Sequence, residues 1–325
     1  MIEKVGLVGV GVMAQHYAAL LHSEGVTVSA ACGRSLESEN WRAFEAAAPA
    51  CRRVPGLLDL MADDSLDGII ACASWNEMPD IATTLVQWHK PVLLEKPVAL
   101  NLADARALSE NAGNNRIVVG YNRRFYEPVT RLRERLRDVM PRSVSCSLSE
   151  TVFRQRERFG AEIVPHLLAF SSAHALDLLQ YLLGPLSIGV IYAREDTGPS
   201  APFISYNGVL ESANGTPINF SLNGDDPSSS EIRLRFDDGA AWVLSPFETL
   251  TVYKGMSVHP PTVARPVRRY EPTIIRRIDA DFTWKPGLLG QVRAFISGDD
   301  SATANLKDAV SVMALIEAIK MSDSN

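Results

Sequence analysis

Apolar and polar positions follow two different rhythms along the chain. Through the first 120 residues, short apolar runs lie at 4–8, 27–32, 68–73, 91–94 and 117–120. Between them, residues 13–23, 38–48, 79–87 and 104–111 carry helical spacing. Short apolar runs bounded by turn formers read as strands buried on both faces. Their alternation with helices predicts a doubly wound parallel sheet.

The rhythm then changes. Residues 127–139 predict a charged helix and 143–153 a strand. A helical segment at 165–183 ends at Gly184-Pro185, a stop signal. Strand-like runs follow at 188–192, 209–212, 218–222, 232–236 and 241–244. Asn214-Gly215, Asn223-Gly224 and Asp237-Asp238-Gly239 separate them, and such turns predict antiparallel pairing. Residues 265–285 read as loop, and 288–295 and 305–321 as helices. The pattern therefore predicts an α/β domain over 1–122 and an α+β domain with an open, mainly antiparallel sheet over 123–325.

Composition narrows the class. The 325 residues carry 32 Lys and Arg against 38 Asp and Glu, a net charge of −6. That balance argues against a general grip on nucleic acid. A hydrophobic share of 46% excludes disorder as the main state. No apolar run approaches the roughly 20 residues of a membrane span, and the first residues enter a strand pattern at once, without a leader layout. Cys32, Cys51, Cys72 and Cys146 form no Cys-x-x-Cys, so they read as free thiols. The six histidines show no metal-ligand spacing, so no metal is expected. A cytoplasmic enzyme is the expectation.

Gly9-Val10-Gly11-Val12-Met13-Ala14 follows the first strand and opens the first helix. Gly9 suits a tight turn, Gly11 lets backbone approach a pyrophosphate, and Ala14 lets helix and strand pack closely. Val12 and Met13 complete that turn, where free N–H groups meet the helix dipole. The pattern reads as a dinucleotide site. At the end of the second strand the chain has Gly33-Arg34-Ser35, with no acid to take a ribose 2′-hydroxyl. Arg34 and Ser35 offer donors for a 2′-phosphate, so NADP is favoured over NAD. The bland alternative is a solvated Arg34 and a site indifferent to the 2′ position.

Glu95-Lys96-Pro97 closes the 91–94 strand, at the strand end where open α/β sheets bind ligands. The chain here resembles the glucose–fructose oxidoreductase, inositol dehydrogenase and MocA (Gfo/Idh/MocA) family. The resemblance rests on the glycine turn, on Glu95-Lys96-Pro97, on Gly120-Tyr121-Asn122-Arg123-Arg124-Phe125, on His174-Ala175-Leu176-Asp177 and on the C-terminal helix. It implies a Rossmann domain followed by a substrate and oligomerisation domain, whose sheet makes homo-oligomer contacts. It implies hydride transfer between nicotinamide and a sugar-like secondary alcohol or ketone. Lys96 and His174 match the family's active-site lysine and histidine, and the Lys96–Pro97 bond is expected to be cis. Ser74, Trp75, Glu95 and Lys96 are expected beside the cofactor. Tyr121, Asn122, Arg123, Arg154, Ser172 and His174 join Lys96 as expected substrate residues.

Two departures stand out. The family often has an aspartate four residues before the histidine, and this chain has Phe170. Ser74-Trp75-Asn76 replaces a common Thr-Pro-Asn, and Trp75 either stacks on a ligand or fills space. Asp177 lies three residues past His174 and is a candidate to orient it, and His166 is a weaker acid–base candidate. Arg123, Arg124, Arg154, Arg156 and Arg158 suit an anionic substrate such as a nucleotide-sugar, although Arg154-Gln155-Arg156-Glu157-Arg158 is partly self-compensating. The rival readings are a non-catalytic NAD(P)-sensing regulator, which Phe170 favours, and an imine or tetrapyrrole reductase.

Overall fold

The computed structural model describes residues 2–322. Two compact units emerge. One holds the residues through Phe125, then His166–Leu178 and Phe282–Glu317. The other holds Tyr126–Pro165, Leu179–Asp281 and the residues from Ala318.

The first unit alternates strand and helix: β1 (Lys4–Val8), α1 (Val12–Ser23), β2 (Thr27–Cys32), α2 (Asn40–Ala47), β3 (Arg52–Arg53), α3 (Leu57–Met61), β4 (Gly68–Ala71), α4 (Met78–Leu85), β5 (Val92–Leu94), α5 (Leu102–Asn111) and β6 (Ile117–Val119). The strands pair in parallel in the order β3-β2-β1-β4-β5-β6. Strand order reverses between β1 and β4, the crevice where such sheets take ligands. The apolar runs are buried as their composition dictates: Leu7, Ile69, Ile70 and Leu93 are fully covered. Tyr17, Trp41 and Phe44 pack on them from the helices. β3 and α3 escaped the sequence pattern because β3 is a pair of exposed arginines and α3 is five residues long.

The second unit contributes α6 (Glu127–Asp138), β7 (Ser143–Glu150), α7 (Val152–Phe159) and strands β8 (Leu186–Glu195), β9 (Ile204–Ser212), β10 (Pro217–Gly224), β11 (Glu231–Arg235), β12 (Ala240–Leu244), β13 (Thr249–His259) and β14 (Arg269–Asp279). Their sheet runs β14-β13-β12-β11-β7-β10-β9-β8, antiparallel except at β7–β10. The loop expected over 265–285 is corrected, because β14 occupies its centre and pairs with β13. β14 is an edge strand, exposed along most of its length and interrupted by Pro272. An edge tolerates proline and lacks the alternation that marks a half-buried strand. Arg154, Arg156 and Arg158, the candidates for an anionic substrate that follow β7, lie on α7.

The predicted helix at 165–183 is three pieces. A 3-10 helix spans Ala161–His166, a π turn spans Leu168–Ser172, and α8 follows over Ala173–Leu183. α9 (Leu288–Ser297) and α10 (Leu306–Met321) complete the chain. Val292 and Phe295 of α9 join the core cluster that holds Tyr17 and Leu20 of α1.

A buried ion cluster fixes the start of α8. Arg124 lies in the 3-10 turn Asn122–Phe125 after β6. It binds both carboxylate oxygens of Asp177, the carbonyl of Thr303 at 3.2 Å and Asp308 at 3.2 Å. Arg124 and Asp177 are 6% and 1% exposed, so neither charge is served by water. Burial pushes the Asp177 carboxyl up, against the downward pull of Arg124. Removing one partner strands the other charge. Asp177→Asn should therefore cost about 3 kcal/mol, the lower end of such losses because Asp308 remains. Urea unfolding measures it, and a loss well under about 1 kcal/mol, the worth of a surface pair, would remove the cluster from the fold's supports.

Candidate functional site

Four turns at the carboxyl ends of β1, β2, β4 and β5 carry the predicted cofactor residues. After β1, Gly9 has φ +94°, and a Cβ there would lie 2.7 Å from the carbonyl oxygen of Cys72. Gly11 has ordinary extended backbone, and a Cβ there would meet nothing within 4 Å. The first turn of α1 has no side-chain cap and no acidic residue. Ala14 is fully buried, as close helix–strand packing requires, and Val12 is exposed. This is an open cradle of backbone N–H groups at a helix N-terminus, and it fits a pyrophosphate.

After β2, Arg34 is exposed and pairs with Glu77 at 2.8 Å. Gly33 packs under Val10, and the Ser35 hydroxyl accepts from the Glu37 N–H at 3.1 Å. After β4, the Ser74 hydroxyl donates to Glu77 at 2.6 Å. The Trp75 ring lies 5.5 Å from the His166 ring, tilted by 36°. Both are partly exposed, so the imidazole covers one side of the indole.

After β5, Glu95 and Lys96 diverge. Glu95 accepts a hydrogen bond from the hydroxyl of fully buried Tyr17 at 2.7 Å, and that hydroxyl accepts from Gln291 at 2.8 Å. Its carboxylate thus ties β5 to α1 and α9. Lys96, joined to Pro97 by a cis bond as expected, extends to the π turn. Its ammonium donates to the Phe170 carbonyl oxygen at 2.6 Å and lies 4.2 Å over the Phe170 ring. Both are partners for a cation. The position expected to hold an aspartate therefore serves Lys96 through backbone and ring.

His174 follows one turn later. Its ring meets Tyr121 edge to face at 5.8 Å. Its Nδ1 is buried and has no hydrogen-bond partner among the described residues. Burial holds the imidazole well below its usual range, and the charges of Lys96, Arg123 and Lys285 push it the same way. His174 is thus a neutral base near physiological pH, with a nitrogen able to accept a proton. Asp177 does not orient it, because Arg124 takes the Asp177 carboxylate. Ser172 is buried in the π turn. Asn122 is buried too, and its amide donates to the Pro286 carbonyl at 2.8 Å. That bond brings Arg123 and Lys285 together as sequence neighbours of the bonded pair. Arg154 lies exposed in the second unit.

Lys285 and Glu77 were not legible as site residues. The Lys285 ammonium lies 3.0 Å from the Met13 sulfur, beside the start of α1. It falls in the stretch that reads as loop and belongs to no motif. Its signal is spatial only.

Comparison with known proteins bears on the family and the fold. The family model described as "Oxidoreductase family, NAD-binding Rossmann fold" matches residues 3–123. A 4-carboxy-2-hydroxymuconate-6-semialdehyde dehydrogenase from Sphingobium sp. is 26% identical over 262 residues, covering 74% of this chain and 78% of the relative. The structure of a UDP-N-acetylglucosamine 3-dehydrogenase from Acidithiobacillus ferrooxidans superposes with a TM-score of 0.72 at 18% identity, covering 98% and 97% of the two chains. An oxidoreductase from Agrobacterium radiobacter, solved with NAD+, L-tartaric acid and magnesium, gives 0.73 at 18% identity, covering 100% and 97%.

The two glycines separate fold from ligand. Gly9→Ala meets both positive φ and a backbone oxygen, and should cost about 2 kcal/mol of stability. Gly11→Ala should unfold within about 0.5 kcal/mol of the parent, because its methyl enters open space. It should still weaken NADH and NADPH binding by about tenfold or more, because the methyl blocks backbone approach. Denaturation and nicotinamide fluorescence titration measure the two effects. Undiminished binding in Gly11→Ala would remove the pyrophosphate assignment.

Proposed function

Residues 3–123 belong to the Gfo/Idh/MocA oxidoreductase family, and from that premise we propose that the chain is an NAD(P)-dependent dehydrogenase or reductase acting on a sugar-like secondary alcohol or ketone. The observation that carries this reading is the pairing of a held cation with a neutral base. Lys96 sits on the Phe170 carbonyl, and His174 follows on the same helical segment with a lowered proton affinity. When bound, the nicotinamide supplies the hydride acceptor or donor. Lys96 donates a hydrogen bond to the reacting oxygen and stabilises charge developing there. His174 takes the hydroxyl proton in the oxidative direction and returns it in the reductive one. Tyr121 holds the imidazole ring from its edge.

An anionic substrate suits this cleft. The charges acting on His174 are Lys96, Arg123 and Lys285, all positive. A carboxylate or phosphate offsets them, and the dehydrogenase relative from Sphingobium is named for a carboxy-bearing substrate. NADP is the preferred cofactor in this reading, through Arg34 and Ser35. Four free cysteines fit a reducing compartment such as the cytoplasm. Among the described residues, no helix is long and apolar enough to cross a membrane.

Lys96→Met should lower turnover by about 10²-fold or more while the protein still binds NADPH, if Lys96 shares the acid–base work. Turnover within about threefold of the parent, well short of a general acid–base contribution, would remove Lys96 from the mechanism. A protein that binds NADPH but turns over no sugar, sugar acid or nucleotide-sugar would instead match the sensor reading that Phe170 favours.

We also propose a homo-oligomer built through the eight-stranded sheet. Met256 and Val258 on β13 and Tyr270 and Ile274 on β14 are exposed apolar residues on paired neighbouring strands, and contiguous exposed apolar surface marks an interaction face. Sedimentation should show a dimer or tetramer that Val258→Lys weakens; a monomeric parent would end this proposal.

A further inference from the structure

An ion pair spans the glycine turn. β2 and β4 flank β1 in the sheet, so the turns that follow them flank the turn at Gly9–Gly11. Arg34, after β2, donates from Nε to Glu77 Oε1 at 2.8 Å, and its Nη2 lies 2.8 Å from the same oxygen. Nη2 also reaches the Ser74 hydroxyl at 3.4 Å, and Ser74 donates to Glu77 Oε2 at 2.6 Å. Glu77 and Ser74 follow β4, 43 and 40 residues from Arg34 in sequence. The contact is thus specific to the fold, and it bridges the path a dinucleotide takes across the turn.

The pair contributes little to stability. Its side chains are 72% and 38% exposed, and water and salt screen such pairs. Its chemistry matches what the end of β2 lacks. A Rossmann domain that binds NAD supplies a carboxylate for the ribose 2′-hydroxyl, usually from the end of β2. Here the carboxylate comes from the turn after β4. One locus therefore holds an acid suited to a hydroxyl and a guanidinium suited to a phosphate.

We propose that Glu77 is the acidic member of the cofactor's ribose subsite, and that the Arg34–Glu77 pair sets the balance between NADP and NAD. The inference rests on the dinucleotide reading of this domain. With the pair closed, Glu77 keeps one oxygen on Ser74 and offers an acceptor to a 2′-hydroxyl. A 2′-phosphate takes Arg34 away from Glu77 and then lies beside a carboxylate of the same sign. A phosphate carries nearly twice the charge of a carboxylate near neutral pH. It therefore wins Arg34, but against the competition and repulsion of Glu77.

The test is the dissociation constant of NADH and of NADPH, measured by nicotinamide fluorescence with the full chain and with Glu77→Gln and Arg34→Ala. Both positions are exposed, so folding is preserved. Glu77→Gln should tighten NADPH by about tenfold relative to NADH, because an uncharged amide holds Arg34 more weakly and does not repel phosphate. Arg34→Ala should weaken NADPH by about tenfold or more and change NADH by less than about threefold. An NADPH-to-NADH ratio within about twofold of the parent in Glu77→Gln would overturn the role of Glu77, because so small a change amounts to less than one hydrogen bond. If the unaltered chain binds neither nucleotide, the dinucleotide reading itself fails, and the inference fails with it.

Discussion

The contact of Arg124 with Asp177 is the constraint on which the site's geometry depends. Two charges at 6% and 1% exposure have lost their water, and their attraction repays that loss only if every donor and acceptor finds a partner. The cluster meets this condition through Asp308 and the Thr303 carbonyl. Its geometry admits one arrangement of the turn after β6, the first turns of α8 and the start of α10. His174 lies three residues before Asp177, so the pair sets the rotation of the helix that presents the imidazole to Tyr121. A purely apolar contact of equal area would tolerate sliding. A two-pronged guanidinium–carboxylate contact does not.

The second constraint is the π turn at Leu168–Ser172. Such turns place one extra residue in a helix and change the direction of its groups. Here the turn brings the Phe170 carbonyl to the Lys96 ammonium and the Phe170 ring beneath it. An aspartate at this position would bring a negative charge beside Lys96. Phenylalanine brings a neutral ring, and the positive field of Lys96, Arg123 and Lys285 falls on His174. Burial keeps the imidazole neutral, and that field acts in the same direction.

Much of this was legible in the sequence, and the reason is locality. The strands β1, β2, β4, β5 and β6 are apolar because helices cover both faces of their sheet, and the glycine turn is written in consecutive residues. Lys96 and His174 were singled out from short motifs, and both fall in the first unit. The failures are non-local. β14 lacks a periodic signal because it is an exposed edge. Nothing local shows that the Asn122 amide meets Pro286, 164 residues away. Nor does anything local show that Tyr17 donates to the Glu95 carboxylate. Asp177 shares a helix with His174, yet its partner comes from the end of β6. Glu77 and Lys285 belong to no motif, and only the fold brings them to the turn after β1.

These cases share a physical rule that separates structural from functional charge. Arg124 and Arg116 put their charge into carboxylates backed by carbonyls, Arg116 on Asp300 and on the carbonyls of Ala294 and Phe295. Such groups have little capacity left for a ligand. Lys285 meets a thioether, a weak acceptor. Lys96 meets a carbonyl and a ring face. Arg34 meets an exposed carboxylate. Cations whose partners are weak or exchangeable retain binding free energy for an incoming anion. Arg34 and Lys96 lie at the carboxyl ends of β2 and β5, and Lys285 lies beside the start of α1. A fold that needed these charges for stability would have met them with buried carboxylates, as it does at Arg124.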